Sequence, residues 1–91
     1  MLTLKVTSQY RKDRKLAKKR GLDMELLDTV IQTLPEEKLL PVKHKDHALV
    51  SNFTGFRECH IQNDWLLVYK IDREQLILTT SRTGTHSDIF G

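Results

Sequence analysis

Side chains that suit proton transfer and charge stabilisation recur through the second half of the chain: His47, His60, Asp64, Arg82 and His86. Histidine both takes up and releases a proton near neutral pH, because its ordinary pKa is about 6.5. Cleavage of RNA without a metal needs both acts, since a base removes the ribose 2′-OH proton and an acid protonates the departing 5′-oxygen. The forked guanidinium of Arg82 suits stabilisation of the charge on the phosphorane. If the fold brings these residues together, they can cleave RNA by acid–base chemistry.

The first third of the chain predicts a strand followed by a helical hairpin. Apolar and polar residues alternate over 2–7, which is typical of a strand with one buried face. Ser8 is a suitable N-cap for a helix over 9–20, and Gly21 suits the position that ends it. A second helix begins after Asp23 as its N-cap and carries an apolar stripe at helical spacing. That stripe must pack against another element.

Three later segments predict the strands of a meander: 56–62, 65–71 and 75–82. The middle segment is nearly all apolar, which favours a central strand buried on both faces. Connections at Asn63-Asp64 and over 72–74 are short enough to require antiparallel hairpins. Together they place Arg82 opposite Asp64. Residues 35–55 lack periodicity and contain both prolines, which predicts a long irregular connection of the kind that often carries function.

These elements predict an α+β fold in a single domain over residues 1–91, because the chain is too short for two independent cores. The N-terminal strand pairs along an edge of the antiparallel three-stranded meander, and the two-helix hairpin covers one face of this one sheet. Gly84 permits a bend that returns His86 to the Asn63-Asp64 turn. His60 lies about 13 Å back along its strand from that turn. The predicted fold therefore gathers the proton-transfer residues at one end of the sheet.

Positive charge is concentrated at the N-terminus. The formal net charge is +3, and residues 1–20 hold eight basic side chains and one acid. Such a segment suits contact with a polyanion, or it serves solubility alone.

Composition also predicts the compartment. No apolar run approaches the roughly 20 residues of a membrane span, and no secretory signal is present. The single cysteine, Cys59, cannot form an internal disulfide, which favours a reducing compartment. We therefore expect a cytoplasmic protein without membrane contact. Cys59 shares its strand face with Arg57 and Ile61 and has no obvious base there, so we expect a structural thiol.

Several candidate residues also have purely structural interpretations. Arg82 and Asp64 fit a cross-strand ion pair, and Trp65 fits either the core or a platform on which a base stacks. Glu58 shares a face with His60 but also fits a position in solvent.

A metal site is a weaker alternative. His44, Asp46 and His47 offer three ligands within four residues, yet their spacing matches no established zinc pattern and the chain has no cysteine pair. We therefore predict no metal and no other cofactor.

The residues that carry these patterns resemble YafQ-type toxins of the RelE/ParE superfamily, which are mRNA interferases of bacterial type II toxin–antitoxin systems. The resemblance covers nearly the whole chain, and its motifs lie at 8–13, 15–20, 45–47, 55–57, 64–70 and 82–91. The ending, Arg82-Thr83-Gly84-Thr85-His86-Ser87-Asp88-Ile89-Phe90-Gly91, is its most specific part.

The resemblance implies a RelE-like fold and a ribosome-dependent endoribonuclease that cuts mRNA in the A site without a metal. The partners that it implies are the 70S ribosome, mRNA and a cognate antitoxin, with operator DNA reached only through the antitoxin.

The resemblance also implies roles for individual residues. The family's catalytic set falls on His47, His60, Asp64 and His86. Arg82 matches its phosphate-stabilising arginine, and Phe90 matches a C-terminal aromatic that positions substrate. Asp64 would orient a histidine, whereas Glu58 stands where relatives often have aspartate and has no assigned role. Binding of ribosomal RNA falls to the basic first helix, through Lys12, Lys15, Lys18 and Lys19.

Two alternatives come from other functional classes. Some superfamily members poison DNA gyrase, so a non-catalytic toxin that blocks gyrase or the ribosome is one of them, although the histidine set argues against it. A plain RNA-binding domain is the other.

Overall fold

The computed structural model describes residues 1–91 as one five-stranded mixed sheet with three helices. Its elements are β1 (Thr3–Val6), α1 (Ser8–Lys19), α2 (Met24–Thr33), β2 (His47–Ala48), β3 (Arg57–Gln62), β4 (Trp65–Asp72), β5 (Ile77–Gly84) and α3 (His86–Phe90). The strand order is β1-β5-β4-β3-β2, with β1 parallel to β5 and all other neighbours antiparallel. The predicted α+β class, edge position of the first strand and antiparallel meander are confirmed. None of the helices is long and apolar enough to cross a membrane.

Thr7, and not the predicted Ser8, caps α1. Thr7 has an extended backbone (φ −84°, ψ 160°), and its hydroxyl oxygen accepts a hydrogen bond from the Tyr10 backbone N–H at 3.0 Å. The same hydroxyl donates to a β5 carbonyl at 2.8 Å. The prediction was wrong by one residue because Ser and Thr both cap well, and the backbone decides which of them is still extended. Gly21 (φ 82°) and Asp23 hold their predicted places between the helices.

Strand β4 lies at the centre of the core and is covered on both faces, as its apolar sequence predicts. The side chains that pack beneath the α1–α2 hairpin are Trp65, Leu67 and Tyr69. The alternate side chains, Leu66 and Val68, pack against Ile89 of α3 on the other face. Helix α3 is absent from the predicted elements because five residues are too few to show a helical period.

The hairpin between β4 and β5 differs from the prediction in register. Its loop covers 73–76, and the Asp72 carboxylate accepts hydrogen bonds from two backbone N–H groups of that loop. Strand β5 therefore starts two residues later than predicted, and an irregularity beside Val68 shifts the ladder again. Arg82 lies opposite Val68 and not opposite Asp64. The predicted pairing is wrong because a side chain that bonds its own turn lengthens the loop without altering the apolar pattern.

The connection over 35–55 is irregular as predicted, except for short 3₁₀ turns and strand β2. In β2, His47 pairs with Glu58 and Ala48 pairs with Arg57. Periodicity misses this edge strand because two residues cannot show a period.

We expect Thr7→Ala to lower the free energy of unfolding by about 1 kcal/mol, because α1 loses its cap and its bond to β5. Ser8→Ala is the matched control and should change it by less than about 0.5 kcal/mol, since Ser8 is exposed. Urea unfolding measures both variants. Equal losses, or a larger loss for Ser8→Ala, would contradict the capping by Thr7.

Candidate active site

Two histidines face the buried carboxylate of Glu58 and a third lies beside them, on the face of the sheet opposite the α1–α2 hairpin. His47 on β2 lies directly across from Glu58, with His47 Nε2 3.0 Å from Glu58 Oε2. His86 of α3 places its Nε2 3.8 Å from Glu58 Oε1. The ring centroid of His60 lies 6.0 Å from that of His86. Only 5% of Glu58 is exposed, so these imidazoles gather around an acid inside the protein.

Asp64 holds His86 through a single carboxylate oxygen. Asp64 Oδ1 accepts the His86 backbone N–H at 3.0 Å and lies 2.6 Å from His86 Nδ1. The bonds from the backbone and the ring of His86 lower the pKa of Asp64, so its carboxylate is ionised and only accepts hydrogen bonds. Nδ1 of His86 therefore carries the proton of this bond. Nε2, which faces Glu58, is the nitrogen that can exchange a proton.

The start of α3 brings His86 back to the β3–β4 turn. Thr85 caps the helix through reciprocal bonds with Asp88. Gly84 precedes the cap, and a Cβ there would lie only 2.9 Å from Asp88 Oδ2. Arg20, at the end of α1, donates to Asp88 Oδ2 at 2.7 Å, and this bond is the main reason that the pKa of Asp88 is lowered. The histidine-bearing helix is thus attached to α1.

His60 and His47 differ in which ring nitrogens are open. His60 Nδ1 lies 3.1 Å from the Asn63 carbonyl oxygen, and its Nε2 has no hydrogen-bond partner in the chain. His47 Nδ1 lies 2.7 Å from the Lys45 carbonyl oxygen, while its Nε2 faces Glu58. Both ring nitrogens of His47 thus face protein oxygens, whereas His60 keeps one nitrogen open.

Glu58 is a site residue that the sequence left without a role. Its Oε1 is buried without a hydrogen-bond partner, and it is the chain's only buried side-chain nitrogen or oxygen in that state. An unsatisfied buried oxygen is costly, and a catalytic role is one physical reason for a protein to keep it. The alternative that placed Glu58 in solvent is wrong, because β2 and α3 cover this part of β3. The one sequence signal that could have assigned Glu58 to the site is that it shares a strand face with His60.

Two aromatic rings border the histidines. Phe90, at the end of α3, lies 6.1 Å from the His86 ring and packs edge-to-face against Phe53 at 4.8 Å. Phe90 is 38% exposed, which leaves its ring available to a ligand at the histidines. Phe53 comes from the connection over 35–55, where no sequence signal singles it out.

Arg82 pairs with α1 and makes no bond to the histidines. Its Nε donates to Asp13 Oδ2 at 2.7 Å, and its Nη2 donates to Asp13 Oδ1 and to the Asp88 carbonyl oxygen, each at 3.3 Å. Asp13 also accepts the Thr83 backbone N–H at 3.1 Å. Arg82 and Asp64 line one cavity of about 470 Å³ beside α1 without touching each other. Nη1 of Arg82 has no hydrogen-bond partner in the chain and stays open.

Two further residues near the site are structural. Trp65 is 4% exposed, and its indole N–H donates to the Thr83 hydroxyl at 2.9 Å. Its predicted role in RNA binding is therefore wrong, because a buried ring has no face on which a base can stack. Cys59 is fully buried, and burial raises the pKa of its thiol to about 12, so it is not a nucleophile at neutral pH.

The candidate metal ligands at 44–47 point to separate partners. His44 Nδ1 contacts a β3 carbonyl oxygen at 2.6 Å, Asp46 bonds to side chains of β3 and β4, and His47 faces Glu58. The chain contains no group of three or more His, Cys, Asp or Glu side chains arranged to hold a metal ion.

Comparisons with known proteins identify the relatives of this chain. The family described as "Bacterial toxin of type II toxin-antitoxin system, YafQ" matches residues 2–91. The mRNA interferase toxin YafQ of Escherichia coli (strain K12) is 40% identical over 89 residues, which make up 97% of this chain and 95% of the relative.

Solved structures extend the likeness to the fold. A metal-bound toxin from Helicobacter pylori superposes with a TM-score of 0.93 and 41% identity, over 99% of this chain and 100% of that one. A chain of the Escherichia coli DinJ-YafQ complex superposes with a TM-score of 0.90 and 38% identity, over 100% of both. This chain therefore belongs to the YafQ family of bacterial type II toxins.

Proposed function

We propose that this toxin cleaves mRNA by acid–base chemistry on histidine side chains. The observation that carries the proposal is the pair His60 and His86, whose ring centroids lie 6.0 Å apart, with His86 Nε2 3.8 Å from the buried carboxylate of Glu58. Family membership supports it, because the similar Escherichia coli protein is named an mRNA interferase toxin.

In this mechanism the scissile phosphate lies between His60 and His86, whose ring centroids are 6.0 Å apart. One Nε2 takes the proton of the 2′-OH as its oxygen attacks phosphorus, and the other gives a proton to the departing 5′-oxygen. The products are a 2′,3′-cyclic phosphate and a 5′-hydroxyl. Asp64 keeps the proton of His86 on Nδ1, so that Nε2 faces the phosphate. His47 pairs with Glu58 through its Nε2.

Arg82 and Phe90 act on the substrate at the edge of this cluster. The open Nη1 of Arg82 donates to the phosphorane from the cavity beside α1, since only its other two nitrogens are engaged by protein groups. The exposed ring of Phe90 stacks against a base next to the cut. Any of the four bases can stack there, because each has a π face.

The proposed target is mRNA in the A site of the 70S ribosome. The exposed lysines of α1 contact ribosomal RNA, and they are Lys12, Lys15, Lys18 and Lys19. A cognate antitoxin neutralises the toxin, as the Escherichia coli DinJ-YafQ complex suggests, and an acidic antitoxin segment would suit α1 or the groove beside it. Operator DNA is reached only through that antitoxin.

We expect His86→Ala to lower the cleavage rate on programmed ribosomes by about 10²- to 10⁴-fold while ribosome binding stays unchanged. The measurement maps mRNA ends in EDTA and determines the bound fraction by sedimentation. His44→Asn is the matched control and should keep the wild-type rate, because His44 lies outside the cluster and asparagine can retain a bond to the same β3 carbonyl.

The same assay separates the alternatives. Unchanged cleavage by His86→Ala would refute the mechanism. Binding of the ribosome or gyrase by the wild-type protein without any cleavage would favour a non-catalytic toxin. Cleavage that requires an added divalent ion would favour metal-assisted chemistry.

A second prediction concerns Glu58→Gln, which keeps the volume of the side chain and removes its charge. Cleavage should fall about tenfold or more, because His47 and His86 lose the negative charge of the carboxylate that they face. The urea midpoint should stay the same or rise, because burying an incompletely paired carboxylate costs stability. A large loss of stability together with unchanged cleavage would show that Glu58 serves the fold alone.

The lysines of α1 give a prediction about salt. Lys15→Ala should reduce the slope of log affinity for ribosomes against log salt concentration by about 1, if the lysine contacts one phosphate. Lys38→Ala is the control, since Lys38 pairs with Glu36 outside α1 and should leave the slope unchanged. If the affinity of the wild-type protein for ribosomes does not depend on salt, α1 does not contact ribosomal RNA.

A further inference from the structure

We propose that Asp46 is a positioning residue that holds His47 against Glu58 from the opposite face of the sheet. The proposal rests on the proposed function, because His47 belongs to the same site. Strand β2 carries His47 but has only two residues, and it forms an edge of the sheet. Short edge segments with few bonds open readily. Something besides the ladder of β2 must therefore hold the imidazole in place.

Asp46 is attached to the core by a closed triangle of hydrogen bonds. The Tyr69 hydroxyl donates to Asp46 Oδ1 at 2.5 Å, and Arg57 Nη2 donates to Asp46 Oδ2 at 3.2 Å. Arg57 Nε also donates to the Tyr69 hydroxyl at 3.3 Å. Tyr69 is 1% exposed and lies directly opposite Arg57 in the β3–β4 ladder. The triangle therefore ties the residue before β2 to the central strand.

The bond of Asp46 and the bond of His47 lie on opposite faces of the sheet. Successive residues of an extended chain point to opposite sides, and Tyr69 packs in the cluster beneath the α1–α2 hairpin, whereas Glu58 faces α3. Lys45, with a left-handed φ of 46°, turns the chain into β2, and its carbonyl oxygen faces His47 Nδ1. The hydrogen bonds of Asp46 on the core face thereby fix the position of the backbone from which the His47 imidazole reaches Glu58.

The Asp46 side chain bonds to Arg57 and Tyr69 and to none of the histidines, so its effect has to pass through the backbone of His47. Burial raises the pKa of Tyr69, and the bond to Asp46 raises it further, so the hydroxyl remains a donor to Asp46 at neutral pH. The triangle thus holds together across the pH range in which histidines exchange protons.

The test uses single-turnover cleavage on saturating programmed ribosomes. Asp46→Ala should lower the rate about tenfold or more with ribosome affinity unchanged, and Tyr69→Phe should give a smaller loss. Asp46→Asn, which keeps an oxygen acceptor for the Tyr69 hydroxyl, should restore most of the rate. Glu37→Ala is the matched control, because it removes an exposed acid paired with Arg73 near the β4–β5 loop.

A double-mutant cycle separates positioning from general damage. If Asp46 acts through His47, Asp46→Ala causes no further loss in a His47→Ala background. Losses that multiply across the two variants would overturn the proposal, as would an unchanged rate for both Asp46→Ala and Tyr69→Phe.

Amide hydrogen exchange in the free protein separates this proposal from the proposed function. The Leu49 N–H, which donates to the Phe56 carbonyl at 2.9 Å just after β2, should exchange faster in Asp46→Ala than in wild type. Faster exchange in a protein that cleaves nothing would support the anchoring of β2 and reject the nuclease. Unchanged exchange at Leu49 would overturn the anchoring.

Discussion

The buried charge of Glu58, at the junction of β2, β3 and α3, is the constraint on which the rest of the site depends. A carboxylate inside a protein is tolerated only where partners compensate for its lost hydration. Here the partners are the imidazoles of His47 and His86, and one oxygen still lacks a hydrogen bond. The Glu58 carboxylate thus lowers the stability of the fold, and packing in the surrounding elements has to offset that cost.

The sheet keeps Glu58 apart from the hydrophobic core, although core residues are its neighbours along the same strand. Along β3, Cys59 and Ile61 enter the cluster beneath the α1–α2 hairpin, while Glu58 and His60 face α3 and the site. Successive side chains of a strand point to opposite faces, so the six residues of β3 contribute both to the core and to the candidate site. The short helix α3 covers the second face only in part, which leaves the histidines accessible.

Helix α1 links the basic face to the elements that present His86. Asp13 binds the Arg82 guanidinium and the Thr83 N–H, and Arg20 binds Asp88 in α3. Because Asp13 is buried and fully engaged, α1 cannot shift without disturbing β5. The basic helix α1 and the histidine-bearing helix α3 are therefore attached to each other and to β5.

Composition and periodicity by themselves determined the α+β class, the buried central strand, the places of Gly21 and Asp23, and the basic character of α1. They did so because alternation, capping and charge are local properties of neighbouring residues. The types of the histidines, Asp64 and Arg82 likewise indicated proton transfer, since that chemistry belongs to each side chain.

Only the tertiary structure decided that Glu58 is buried, that Trp65 is core, and that Arg82 pairs with Asp13, 69 residues away in the chain. The turn after Asp72 set the register of β5, and α3 and β2 supplied the cover over Glu58. Such pairings depend on which distant segments meet. Contacts of that kind impose no period on the sequence, so only the folded chain shows them.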